Sequence, residues 1–406
     1  MKMFGEKKDN RTAKTDNSAD KGGDNINNAE NGKNKKHKGR GWLIALAVVL
    51  LLVGGAYLYW VISTKAPDID KDNETTEGEA VNVSGENRKE GVFTLLVVGD
   101  DQEGYNTDTI MVMRYDSINN TANVVSIPRD TMVNYDDKTA RKINAVFHSK
   151  NGGIDTLMDA VEGVTGFRPD NYIIVNTNCF VDVIDAMGGV YFDVPQDMDY
   201  EDYSDNDKDG VFEYVFEIHV KKGYQLLNGY DALGVFRYRA DYAMGDIQRL
   251  DVQHGLLMAA AEQFMATKNV FKLYQVASII LDNSKTDLSY RNLQWYAKEF
   301  LGMSIKDIAI NTMPTTGAFV NDVSYVKIDV DEWIEMLNST INPIKNDITK
   351  EDCNILVWTN PTAPGSDGQY HIDPNDLAAT DGAKVYNDFP WMKDLLQAEK
   401  LRYLSD

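Results

Sequence analysis

The stretch "GVFTLLVVGDDQEGYNTDTIMVMRYDSINNTANVVSIPRD", residues 91–130, decides the fold. "VFTLLVV" is a short, almost unbroken apolar run rich in β-branched residues, the pattern of a buried strand. It ends at Gly99-Asp100-Asp101. "DTIMVMRYD" and "TANVVSIPRD" read as two further strands, and "SINN" between them is a turn signal. Pro128 closes the third strand, because proline has no N–H for a ladder.

Downstream the pattern alternates. "GIDTLMDAVEGVTG" has helical spacing, with Ile154, Leu157, Met158 and Val161 on one face, and stops at Gly163 or Gly166. "NYIIVNTNCFVDVIDAMGGVYFDVP" reads as strand, helix, Gly-Gly turn and strand. Strands alternating with helices predict an α/β class, built as an α-β-α sandwich. Asp205, Asp207, Asp209 and Gly210 mimic the start of a calcium loop, but its twelfth position is Phe216 and the flanks alternate as strands. A solvated hairpin turn is the reading adopted.

Upstream, residues 1–41 are polar and too poor in apolar groups to offset chain entropy, so a disordered tail is expected. Trp42 to Ser63 form an uncharged apolar run long enough to cross a bilayer. Lys33, Lys35, Lys36, Lys38 and Arg40 precede it, and an acidic segment follows Lys65. The positive-inside rule then places the N-terminus in the cytoplasm and the rest outside the cell. Tyr57, Tyr59 and Trp60 suit a retained anchor rather than a cleaved signal. Residues 64–90 read as a linker.

The formal net charge of -22 disfavours nucleic acid as a partner. Cys179 and Cys353 have no metal-type spacing and read as small buried apolar groups. Against that acidic background "VFRYRADYAMGDIQRLDVQHG", residues 235–255, gathers Arg237, Arg239 and Arg249. "VFRYRA" alternates, which predicts a strand with Arg237 and Arg239 on one face and Phe236 and Tyr238 turned to a core. Asp246 is positioned to cap a helix on which Arg249 and Gln253 share a face. Guanidiniums beside a helix start can converge on an anion; they can equally pair with surface carboxylates. Asp101, Asp108, Arg129 and Lys142 tip the balance. Carboxylates at strand ends beside arginines suit a hard divalent cation bridging to phosphate.

The order and spacing of "LLVVGDD…TDTIMVMRYD…VVSIPRDTMV…KINAVF…GGIDTLMDAVEGVTG…GYQLLNGYDALGVFRYR…GDIQRLDVQ" resembles the LytR-CpsA-Psr domain, from about residue 91 to 266. The resemblance implies a mixed central sheet and a membrane-anchored phosphotransferase. Such an enzyme moves a wall glycopolymer from a polyprenyl pyrophosphate carrier to peptidoglycan. It implies Mg²⁺ held by Asp101 and Asp108. It implies Arg129, Arg237, Arg239, Arg249 and Gln253 on the pyrophosphate, with Lys142 at the edge and Asp101, Asp108 and Arg129 as the catalytic set. The lipid tail would lie between sheet and helices, with lining expected on the helices of 154–164 and 254–265. Asn106 and Val252 stand where the family usually has arginine, which predicts a less positive site and leaves a non-enzymatic polyprenyl-phosphate-binding sensor or scaffold as the alternative. Residues 267–349 read as a helical and strand extension. Residues 350–406 match nothing, although "CNILVWTN" is a strand candidate and "FPWMKDLLQAEKLRYL" a terminal amphipathic helix.

Overall fold

The computed structural model describes residues 64–67, 87–100, 107–138, 141–204, 213–240, 246–267, 270–361, 363–366 and 368–391. The expectations for the tail, the apolar run of 42–63, most of the linker, Asp101, Asn106, the 205–212 turn, the Asp246 cap and nearly all of the terminal helix fall outside what is described. Among the described residues no helix is long and apolar enough to cross a membrane.

The chain enters through β1 (Val92–Asp100), returns through β2 (Thr107–Asp116) and goes forward through β3 (Thr121–Ile127). A short helix α1 (Ile143–Val146) and α2 (Ile154–Thr165) lead to β4 (Asn171–Asn176), α3 (Thr177–Met187) and β5 (Val190–Val194). A hairpin follows, β6 (Met198–Ser204) with β7 (Glu213–Val220), and β8 (Gly223–Leu227) then pairs with β5. Next come α4 (Gly229–Arg237), α5 (Asp246–Thr267), α6 (Val270–Asn283), β9 (Ser284–Thr286), α7 (Tyr290–Gly302) and β10 (Ile308–Thr312). The chain continues through β11 (Thr315–Val320), β12 (Val323–Ile328), α8 (Val330–Thr340), β13 (Leu356–Trp358), β14 (Tyr370–Ile372) and β15 (Leu377–Ala379).

Six strands make one mixed sheet in the order β10-β3-β2-β1-β4-β9. Strand β1 runs parallel to β4 and antiparallel to β2, while β3 runs antiparallel to β2 and parallel to β10. Strands β1, β3, β4 and β10 therefore share a direction. Their carboxyl ends lie along one edge of the sheet, together with the start of β2. Open α/β sheets bind ligands at such an edge.

Side chains alternate across the sheet. Leu96, Val98, Ile110, Val112 and Val125 face α2 and α8, where they pack with Leu157, Val161, Trp333 and Leu337. Phe93, Leu95, Val97, Met113 and Ile173 face the other way, onto Met265 of α5, Ala277 of α6 and Leu293 and Trp295 of α7. Helices thus cover both faces, which is why the strands are apolar on both sides. Helix α2 ends at Gly166, whose φ of 73° is left-handed and whose N–H reaches the Glu162 carbonyl at 2.7 Å. Gly188 and Gly189 close α3 in the same region, at 92° and 90°. Glycine adopts this backbone without the Cβ clash that other residues meet.

The structure corrects the reading of residues 235–239. The chain is helical through Arg237, and Arg239 lies beyond the helix in a connecting segment, so no strand presents the two arginines. Asn228 caps α4 by accepting from Asp231 N at 2.8 Å, and Ala232 and Val235 bury at helical spacing. A five-residue alternation fits either period, and the Asn228 cap upstream decides for the helix. Both cysteines are free and buried, and burial pushes the thiols up to about 11 for Cys179 and about 12 for Cys353.

Candidate functional site

A cavity of about 180 Å³ opens at the carboxyl edge of the sheet. Asp100, Asp108, Arg237, Arg239, Arg249 and Gln253 form its polar part, and Val97, Met111, Val175, Phe180, Leu233 and Leu257 its apolar part. Asp100 ends β1, and its carboxylate lies 3.0 Å from His148 Nε2. Asp108 is the second residue of β2. Arg237 closes α4, with its guanidinium carbon 5.0 Å from the centroid of the Phe216 ring. Arg249 is the fourth residue of α5 and is buried at 9% exposure. One turn later, the Gln253 amide donates to the Phe236 carbonyl at 2.8 Å and ties α5 to the end of α4.

The charges form an alternating line. Arg239 sits 3.2 Å from one Asp108 oxygen, and Arg129 donates to the other. Arg129 also lies 3.8 Å from Asp130, which accepts from Lys142 at 2.7 Å. Five of the expected residues, Asp108, Arg237, Arg239, Arg249 and Gln253, therefore meet in one cavity. Arg129 reaches it through Asp108, and Lys142 stands one carboxylate further out. Asn176 and Thr177 also line the cavity, and the Asn176 side chain caps α3 by accepting from Cys179 N at 2.8 Å. The electropositive start of that helix adds to the pull on an anion. The sequence reading missed these two and Phe180, although a strand ending in "VN" before a helix was the available signal.

Two further expectations change. Helix α2 belongs to the core on the opposite face and does not line the cavity. The apolar lining instead continues along one face of β2: Thr109 and Met111 line this cavity, and Met113 and Tyr115 line a second one. That second cavity, about 230 Å³, is closed by Phe264, Ile280, Leu293 and Phe300. Val252 packs in the core beside Val190, Val235 and Leu256 rather than facing the arginines.

Carboxylate oxygens are the donors that a hard divalent cation takes. Asp108 lines the cavity with one oxygen on Arg129 and the other on Arg239, and Asp101 follows Asp100 directly in sequence. Among the described residues there is no group of three or more His, Cys, Asp or Glu side chains able to hold a metal.

His254, on α5 beside Gln253, lies 2.8 Å from the Ser126 hydroxyl through Nε2. Burial pushes its pKa down from 6.5, against the pull of Asp251. The unfolded chain then takes up the proton first. Stability from the neutral buried ring is present above the unfolded value and is lost as pH falls below it. We expect the urea midpoint to drop between about pH 7 and pH 5. The His254→Gln variant should show a shallower drop, and identical pH profiles would remove this assignment.

The LytR_cpsA_psr family model matches residues 56–342. The chain is 30% identical over 288 residues to polyisoprenyl-teichoic acid--peptidoglycan teichoic acid transferase TagV of Bacillus subtilis, covering 68% of this chain and 70% of that protein. It is 27% identical over 311 residues to the enzyme of the same description, TagU, from that organism, covering 74% of this chain and 94% of the relative. The crystal structure of Bacillus subtilis TagV superposes with a TM-score of 0.51 at 27% identity, over 62% of this chain and 96% of that one.

Proposed function

From the premise that this chain belongs to the LytR-CpsA-Psr family, we propose that it transfers a wall glycopolymer from a polyprenyl pyrophosphate carrier to peptidoglycan. Residues 42–63 anchor it in the cell membrane, with the N-terminus in the cytoplasm and the catalytic domain outside. The observation that carries the reading is the meeting of Arg237, Arg239 and Arg249 at a cavity whose apolar side continues along β2. Paired guanidinium forks match pyrophosphate oxygens, and the apolar face suits the lipid.

An acceptor sugar hydroxyl attacks the phosphorus next to the polymer's first sugar. The new O–P bond forms as the bridging P–O bond breaks; polyprenyl phosphate leaves with that oxygen and takes up the proton that the hydroxyl gives up. The arginines hold the charge that develops on the bridging and equatorial oxygens. Asp101 and Asp108 would hold Mg²⁺, which would supply further positive charge there. Asp108 is engaged by two guanidiniums, which suits holding charge rather than taking the hydroxyl proton.

Purified full-length protein, given lipid-linked polymer and peptidoglycan oligomers, tests this. Transfer is expected, with loss on chelation and a drop of about tenfold or more in Arg239→Ala. Binding of polyprenyl pyrophosphate without any transfer would favour a sensor or scaffold instead.

A further inference from the structure

Residues 343–391 lie beyond the family match, yet part of them reaches the loop that carries Arg129 and Lys142. The loop is one hydrogen-bonded unit. Val133 N donates to the Arg141 carbonyl at 3.0 Å, Ile143 N to Thr131 O at 3.0 Å, and Asn144 N to Arg129 O at 3.2 Å. Met132 and Lys142 pair across it. The Arg141 side chain points inward and is 1% exposed. It donates through Nη2 to Asp388, and its guanidinium carbon lies 5.3 Å from the centroid of the Phe389 ring.

The partner segment is itself held in place. Asn134 donates to Lys384 O at 3.1 Å and accepts from Tyr386 N at 3.1 Å, so the loop grips the segment a second time. Asn321 donates to Phe389 O at 2.9 Å. Phe389 is 4% exposed and meets Tyr325 edge-on at 5.7 Å, and Tyr325 in turn lies beneath Lys142, 5.6 Å from its ring centroid to Nζ.

We propose that Arg141 is a positioning residue, and that the C-terminal segment, through Asp388 and Phe389, clasps it so that Arg129 and Lys142 stand correctly at the anion site. The proposal rests on the phosphate-binding reading of that site. Its logic is electrostatic. A buried guanidinium stripped of its carboxylate is strongly unfavourable, so the loop must shift to hydrate it. Lys142 is the next residue, and it is linked through Asp130, Arg129 and Asp108 to the cavity. Small displacements of positioning groups far from the chemistry cost up to about a hundredfold in rate.

Steady-state transfer by the full-length protein tests the clasp. Asp388→Asn and Phe389→Leu are each expected to raise KM for the lipid-linked donor about tenfold, with KM for the acceptor unchanged and with Asp388→Glu restoring most of the loss. Ile348→Ala, also beyond the family match but outside the cluster that holds Phe389 and Tyr325, is the control: it should lower the melting temperature and leave donor KM alone. The clasp is overturned if both Asp388→Asn and Phe389→Leu leave donor KM unchanged, or if Ile348→Ala raises it as much at an equal loss of melting temperature. Arg239→Ala separates the two levels. A raised donor KM in Arg239→Ala with none in the clasp variants sinks the clasp alone. No effect in Arg239→Ala sinks the anion-site reading and the clasp with it.

Discussion

Arg249→Ala is expected to lower kcat/KM for glycopolymer transfer by about a hundredfold while the protein still folds. The residue combines burial at 9% exposure with a place on the first turn of α5, facing the cavity. A charge-assisted hydrogen bond to pyrophosphate is worth about 1.5–3 kcal/mol, and the buried end of that range corresponds to about two powers of ten. Arg249→Lys keeps the charge and loses the fork, so it should recover only part of the rate. Surface ion pairs, by contrast, contribute about 0–1 kcal/mol. Kinetics indistinguishable from the unsubstituted protein would place Arg249 among such pairs.

Trp333→Ala should give the largest loss of stability, about 3–5 kcal/mol, read from urea denaturation. Trp333 has 0% exposure and joins α8 to α2 and to the sheet face formed by Leu96 and Val112. Its indole N–H donates to the Val164 carbonyl at 2.8 Å. Trp333→Phe retains much of the apolar volume but leaves that carbonyl unpaired, at about 1–3 kcal/mol. A cost under about 1 kcal/mol for the alanine variant would mean that α8 is only loosely attached to the domain.

The first three strands were legible because their apolar runs are long and their turns carry Asn and Pro signals. The α2 face was legible because Leu157, Met158 and Val161 repeat at helical spacing and stop at a glycine that adopts positive φ. Residues 235–239 were not. Their alternation is too short to separate the two periods, and the deciding signal is Asn228, which acts from the far end of the helix. The arginine convergence was legible as residue chemistry, although its strand geometry was wrong. The place of α2 was not legible: an amphipathic helix shows which of its sides is apolar, not which face of a sheet receives it. Asp388 and Arg141 are 247 residues apart, and no local pattern relates them.

Arg129, Arg239 and Lys142 are already answered by the protein's own anions. Asp108 stands between Arg129 and Arg239, and Asp130 between Arg129 and Lys142. These carboxylates act as stand-ins for the ligand. A weak, singly charged anion gains little by entering, because it must compete with a tethered carboxylate that loses no translational freedom. A ligand bearing several negative charges can engage Arg237, Arg239 and Arg249 together and outcompete the stand-in. The alternating line therefore favours ligands of higher valence, and it lets an acidic protein hold a cluster of arginines without trapping every small anion that passes.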